Sequence, residues 1–539
     1  MKVRHFALSS GVLVVALACV FPTADAQNAQ KQPPVSGIFD AAKEFANDVV
    51  GLGLLPKLAC TSDFDFGGGN IRVNCDTVNT PHNETIIAVD PADANHIVAG
   101  SNDFVVRPDV PTIGFLVSAF YTSTDGGATW FNGHIPRTGF NETGDPGVAF
   151  NTKFADVHFV QLGMNLGQVP FGSVVSGVQV STSNDGGVTW GKPVLVPRGT
   201  RSFDDKPAIA VDNNPASSHY GRVYVTWTRF LLTGTFPIYL AYSDDGAQTF
   251  SAPKEISGSG SFCNTVSTRC SSDQYSSPVV GGDGTVYVAF ENFDTVAENQ
   301  FLLVRSTDGG ASFSAPVQAV PTVFDAPSDY PTNVLGRPTL TNSEFRVNSA
   351  GNLALDPSSA SGPAASSTVL YYVFSDNRNG TIHVATPVTN TDVFVVKSSN
   401  GGQTWGAVTP VLTGAAANND QFYPWAAVDS TGRLLIRFSD RSYDSANVQY
   451  GQTLAVSTNG GGSFTAKRID TALSNPNDSR WSSGGTNGKS TFIGDYDGLA
   501  VGSDGVAHAV WTDMRNAVFP NPPPSRGHRT EDAVTVRVP

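Results

Sequence analysis

Beyond its opening residues the sequence has no apolar run near the ~18 residues a membrane-crossing helix needs. Almost nothing in it follows the 3.6-residue period of an amphipathic helix. It contains no H-E-x-x-H and no G-x-S-x-G, which removes the zinc-protease and α/β-hydrolase schemes. "SGGTNGKS" (483–490) nearly spells a phosphate-binding loop, but Ser483 stands where the first glycine belongs. No cysteine pair has C-x-x-C spacing, so a zinc-ribbon site is not expected, and neither a metal nor a cofactor is called for. Basic residues are in deficit, 33 Lys and Arg against 47 Asp and Glu for a net charge of −14. Such a surface repels nucleic acid and anionic membrane.

The start of the chain is of another kind. "MKVRHFALSSGVLVVALACVFPTADAQ" has a basic opening, an apolar run and an A-x-A site, the pattern of an export leader cut after Ala26. A lipid anchor through Cys19 fits less well, because Ala16 and Leu17 stand where a lipobox wants a larger aliphatic and then a small residue. Without Lys2, Arg4 and Asp25 the mature chain carries 31 basic and 46 acidic residues, a charge of −15. Export places the protein outside the cytoplasm, secreted or periplasmic. Four cysteines then remain, and nearness in sequence favours Cys60–Cys75 and Cys263–Cys270 over the other pairings, with buried free thiols as the alternative.

What the sequence does have is repetition. "STDGGATW" (123–130) returns as "SNDGGVTW" (183–190), "SDDGAQTF" (243–250), "STDGGASF" (306–313), "SSNGGQTW" (398–405) and "STNGGGSF" (457–464). A second motif, from "TIIAVD" ending at Asp90 to "GLAVG" ending at Gly502, occurs seven times at intervals of 61, 61, 71, 73, 73 and 73 residues. A short aromatic, β-branched run follows each, from "IVAGSND" (97–103) to "AHAVWTD" (507–513). Four antiparallel strands per unit, repeated about seven times, describe an all-β propeller, with six blades as the alternative. Because there is one octapeptide fewer than first strands, "NIRVNC" (70–75) is expected to supply the missing outer strand and close the last blade. Residues 27–69, with a weakly amphipathic stretch at 37–50, read as an N-terminal extension to a propeller at 70–539.

The octapeptide reads as a hairpin between third and fourth strands, its Asp accepting backbone N–H groups, its glycines at positive φ and its last aromatic wedged between blades. An EF-hand reading fails on ligand count. These octapeptides resemble the Asp-box, or BNR, repeats of the sialidase superfamily, and the resemblance spans residues 84–538. In that family the boxes lie on the face opposite the active site. The resemblance implies an exported glycoside hydrolase acting on an anionic sugar or glycan. A non-catalytic carbohydrate-binding propeller and a polysaccharide lyase are the alternatives.

The face opposite the boxes collects the starts of first strands and the ends of second strands. Glu84, Asp145, Asp205, Lys206, Arg346, Tyr423, Asp495 and Tyr496 fall at the former, and Glu291, Asp376, Arg378, Asp440, Arg441, Asp513 and Arg515 at the latter. "SDNR", "SDR" and "TDMR" are each read either as part of a ligand-binding ring or as an ion pair within one blade. Carried over from the family, Tyr423 or Tyr496 would be the nucleophile, Glu291 its partner and Asp145 or Asp205 the acid/base. Arg346, Arg378, Arg441 and Arg515, with Lys206, would hold the substrate carboxylate. The chain departs from the family at "NETIIAVD", where an Arg-Ile-Pro-like motif would stand, and in having seven repeats rather than six. The partner is therefore expected to be a carbohydrate and the protein a monomer. "NET" at 83–85 and 141–143 are formal N-glycosylation acceptors.

Overall fold

The structure, a computed structural model, describes residues 60–75, 81–106, 114–165, 175–199, 202–265, 268–359, 367–478, 492–515 and 531–539. The expected leader, the stretch at 37–50 and "SGGTNGKS" lie outside the described residues.

Seven antiparallel sheets follow one another along the chain, and they form a seven-bladed β-propeller. Blade 1 runs His82–Asp90, Asp93–Val106, Gly114–Ser123 and Trp130–His134 from the axis outward. The first strands of blades 2 to 7 are Glu142–Asn151, Ser202–Val211, Asp273–Val280, Ala350–Leu355, Gln421–Val428 and Leu499–Val501. Among the described residues the helical content is two short 3-10 turns, Gly414–Ala417 and Pro476–Asp478. The outward order follows from composition, because the innermost strands need small residues where backbones converge. A Cβ on Gly498 would lie 3.0 Å from the backbone of Ile86 in the next blade.

Closure takes the expected route. Ile71–Arg72 pairs antiparallel with Asp532–Val538 as the fourth strand of blade 7, Ile71 opposite Thr535 and Arg72 opposite Val534. Asn74 Nδ2 donates to Asp532 at 2.9 Å and Asn70 Nδ2 to the Ile469 carbonyl at 3.0 Å, so side chains extend this short pairing. The N-terminal segment also does something the sequence did not suggest. Cys60–Ser62 adds a fifth strand outside Trp130–His134 of blade 1, so one segment ties the first blade to the last.

The octapeptide turns behave as hydrogen-bonded corners. Asp125 Oδ1 accepts from the N–H of Ala128 (3.0 Å) and Thr129 (2.9 Å), Oδ2 accepts from the Thr129 hydroxyl (2.6 Å), and Ser123 Oγ accepts from Gly127 N (2.8 Å). Asp308 accepts from the Ser312 N–H at 2.8 Å, and hydrogen bonds from the Ser312 hydroxyl, the Ser312 N–H and the Ser306 hydroxyl lower its pKa to about 2. Asn400 keeps the pattern with one exchange, its Nδ2 donating to Thr404 Oγ1 at 2.8 Å while Oδ1 accepts from Thr404 N at 3.0 Å. The closing aromatics fill the gaps between blades. Trp130 is fully buried among Ile97, Ala99, Val510 and Ala533, and Trp190 lies against Phe120 and Phe159 at ring separations of 5.7 and 5.6 Å. Burying one such side chain contributes about 1.5–3 kcal/mol.

Cys263 and Cys270 form a disulfide, and Cys75 is also disulfide-bonded. The Cys60 side chain lies outside the described residues. Asn83 is fully buried, its Nδ2 donating to the Phe492 carbonyl and to Glu531, so it cannot serve as a glycan acceptor in the folded chain.

Candidate active site

First strands run from one face to the other, third strands end in the octapeptide turns, and strand direction alternates. The starts of first strands and the loops after second strands therefore lie on the face away from those turns. On that face six of the first strands slip register, that of blade 5 between Ala350 and Leu353 and the other five around a left-handed residue that is not glycine. Those five breaks fall between Asn83 and Ile86, Gly144 and Gly147, Asp205 and Ala208, Gln274 and Ser277, and Phe422 and Trp425. The residue at each slip is Glu84, Asp145, Lys206, Tyr275 or Tyr423, with φ of 53, 52, 49, 56 and 51°. Left-handed backbone in a non-glycine residue costs on the order of 1–3 kcal/mol and collects at functional sites. Proline follows three of them, at 146, 207 and 424, where it denies its predecessor the right-handed helical conformation and has no N–H to lose from the ladder. The bulges aim five chemically active side chains from five blades toward the axis.

Lys206 is the hub. Its ammonium lies 2.7 Å from Glu84 Oε1, 2.8 Å from Asp495 Oδ2 and 3.4 Å from Asp145 Oδ1, and 5.4 Å from the centre of the Tyr496 ring. Arg346, from the connection entering blade 5, grips Asp495 through Nε at 3.1 Å and Nη2 at 2.5 Å. Glu84 and Asp145 have no exposed surface, and Lys206, Asp495 and Arg346 are buried too. Gly494 makes the fit possible: its φ is +90°, and a Cβ there would sit 2.6 Å from Glu84 N.

Burial and charge separate the carboxyls. Burial, then the Asp145 charge, push Glu84 far above the usual carboxylate range against the pull of Lys206, so Glu84 keeps its proton and donates it toward Asp145. Asp145 is raised more modestly, burial being opposed by Lys206 and by that hydrogen bond. Asp495 goes the other way, because Arg346 and Lys206 outweigh its burial and hold it ionised. The ammonium of Lys206 is kept charged against burial by Asp145, Asp495 and Glu84. With Glu84 neutral, two anions face two cations.

The two candidate tyrosines differ. Tyr423 is buried, and its hydroxyl lies 2.6 Å from the Gly494 carbonyl and 2.9 Å from that of Arg346, which makes it a tie between strands. Tyr496 is partly exposed, its hydroxyl 3.2 Å from the Pro146 carbonyl, and burial, followed by the neighbouring carboxyl groups, pushes its pKa up and keeps it a neutral phenol. Tyr275, which sequence reasoning overlooked, occupies the equivalent place in blade 4 and is also partly exposed and held neutral.

Other candidates lie elsewhere. Asp205 accepts from Gln274 Nε2 at 3.2 Å. Glu291 hydrogen-bonds Asp325, and its charge acts on Tyr275 and Tyr372, so its tyrosine neighbours differ from the expected pair. Three of the four arginines are engaged away from the axial cluster, each in an ion pair with an Asp of its own blade. Arg378 forms a two-point pair with Asp376 (2.8 and 2.7 Å) over the Phe394 ring. Arg441, fully buried, holds Asp420 (3.4 Å), Ser343 Oγ (2.5 Å) and the Asn447 carbonyl (2.9 Å). Arg515 pairs with Asp513 at 2.9 and 2.8 Å, donates to Asn70 at 3.0 Å and lies over Phe66, tying down the closing strand. Only Arg346 and Lys206 of the predicted cations reach the axial cluster.

No protein-family model matches the chain, and no curated protein does. Similar solved structures include a protein of unknown function from Dyadobacter fermentans, 16% identical over 69% of this chain and 93% of that one, TM-score 0.42. The Hadza microbial sialidase Hz136 is 12% identical over 90% and 96%, TM-score 0.41. The intramolecular trans-sialidase of Ruminococcus gnavus is 13% identical over 74% and 97%, TM-score 0.43.

Proposed function

We propose that the protein is an exported, sialidase-like glycoside hydrolase of the Asp-box superfamily, with Tyr496 as nucleophile and the Glu84–Asp145 pair as its acid and base. The observation that carries this reading is the arrangement itself: Glu84 and Asp145, each at a left-handed bulge, both reach the Lys206 ammonium, and the partly exposed Tyr496 ring lies 5.4 Å from that same ammonium. A phenol needs a base, and Asp145 is one of the carboxyl groups that act electrostatically on Tyr496. In the proposed step the Tyr496 oxygen bonds the anomeric carbon and its proton passes to Asp145, while Glu84 protonates the leaving oxygen. Water then releases the sugar. An anionic sugar would be read by Arg346 and Lys206, which Asp495 occupies in the free protein. Tyr423 is assigned a structural part, as are Arg378, Arg441 and Arg515.

The second reading is a non-catalytic carbohydrate-binding propeller, favoured by the burial of Glu84 and Asp145, which a substrate must reach. Fluorogenic sialosides and a glycan panel separate the two. Cleavage abolished by Tyr496→Phe supports the hydrolase, whereas retention of glycans without cleavage supports the binding protein.

A further inference from the structure

Away from the axis, on the same face, three loops of blades 4 and 5 meet. Glu298 lies in the connection between Val286–Asn292 and Asn299–Ser306. Asp329 is in the long connection from Val317–Val323 to Ala350–Leu355, and His383 is in the one between Leu370–Asp376 and Asp392–Ser398. His383 Nε2 is 3.1 Å from Glu298 Oε1 and 3.6 Å from Asp329 Oδ1, and donor atoms of all three lie within 4.8 Å of one another. A tetrahedral ion with bonds of about 2.0–2.1 Å has ligand edges of about 3.3 Å, so the two measured separations bracket the value a zinc-type ion requires.

We infer that Glu298, Asp329 and His383 form a binding site for a zinc-type divalent cation, with one coordination position open to a ligand in the adjoining cleft. The parts are held in place independently of any ion. Asp329 Oδ2 accepts from Ala326 N at 3.0 Å, which leaves Oδ1 turned toward His383. His383 N donates to the Ser328 carbonyl at 3.1 Å.

The second observation is the cleft. A cavity of about 580 Å³ opens beside the triad, with His383, Ser328, Tyr330, Thr332, Asn333 and Pro387 in its wall. Of the three donors His383 stands in that wall, and a zinc-type ion held by three protein ligands takes a water or substrate donor as its fourth. One imidazole with two carboxylates suits zinc better than calcium, which takes six to eight oxygens. The donors come from three loops at irregular spacing, so no sequence motif announces them. The site does not depend on the axial chemistry.

The test uses the full exported chain stripped with chelator, titrated calorimetrically with zinc chloride and, separately, with calcium chloride. Bound metal is counted by mass spectrometry. The expected result is one zinc per chain, weakened by more than about tenfold in His383→Ala and in Glu298→Gln. His383 is half-exposed, so His383→Ala should melt with the chelated parent; if it does not, Glu298→Gln carries the comparison. No zinc uptake, uptake unchanged in both variants, or binding of calcium in preference to zinc would each overturn the assignment.

Discussion

Arg346 closes on Asp495 with two guanidinium nitrogens, joining the connection into blade 5 to the entrance of blade 7 across the propeller axis. Lys206 reaches the same carboxylate from blade 3. Removing one partner of a buried pair typically costs about 3–5 kcal/mol, because a charge is left without compensation. Asp495→Asn should therefore lower the stability of the propeller by about that much, read from urea unfolding. Asp495→Asn with Lys206→Met, which removes one charge of each sign, should recover part of the loss, and a cycle showing simple additivity would break this description of the cluster.

Arg378, Arg441 and Arg515 are predicted to be staples. Arg378→Ala and Arg515→Ala should lower the melting temperature and leave glycan binding unchanged. Arg515→Ala should also expose the Ile71–Arg72 pairing to faster amide exchange, since Asn70 and Phe66 lose their partner. Lost glycan affinity with unchanged stability would restore these residues to the ligand.

The octapeptide turns give a graded series. Asp125→Ala removes two bonds from backbone N–H groups and two from hydroxyls, and should cost about 1–2 kcal/mol, in the range of lost cap and turn bonds. Asp125→Asn should cost less, because Asn400 and Asn459 already serve in two of the six turns. Equal losses for both variants would show that the negative charge, rather than the oxygen geometry, matters.

His508 supplies a pH dependence. Burial holds its pKa down at about 4, whereas in the unfolded chain it is near 6.5. Between those values the unfolded state binds a proton that the folded state refuses, so stability falls as the pH drops from about 6.5 to about 4. Comparing chemical unfolding of the parent and His508→Gln across that window should show a shallower slope in the variant. Parallel slopes would contradict the assignment.

The blade count, the closing strand and the turns were legible because each is a local pattern repeated at a fixed interval. The axial cluster was legible only in part. Asp145, Lys206 and Tyr423 precede proline at a constant offset of six residues from the end of the first-strand motif, but Tyr275 stands eight before Asp283, since an extra "GG" lengthens the turn there. That offset hid it. The arginines show the opposite difficulty: an Asp one or two residues before each was plain, yet Arg441 pairs with Asp420 rather than Asp440, and each guanidinium lies over a ring, Phe394, Phe345 or Phe66, that the local pattern does not announce. Glu291 lay on the expected face, and what the sequence could not say was which tyrosine it stands beside.

The most direct test of the central claim is turnover of a fluorogenic glycoside panel, sialosides included, by the parent, Tyr496→Phe, Glu84→Gln and Tyr423→Phe, with folding checked by melting curves. The account predicts that Tyr496→Phe and Glu84→Gln lose turnover by about 10²-fold or more while remaining folded. Tyr423→Phe is predicted to keep turnover and melt earlier, since two buried carbonyls lose their donor. Turnover that survives in Tyr496→Phe and Glu84→Gln, or a parent that cleaves nothing on the panel, would contradict it.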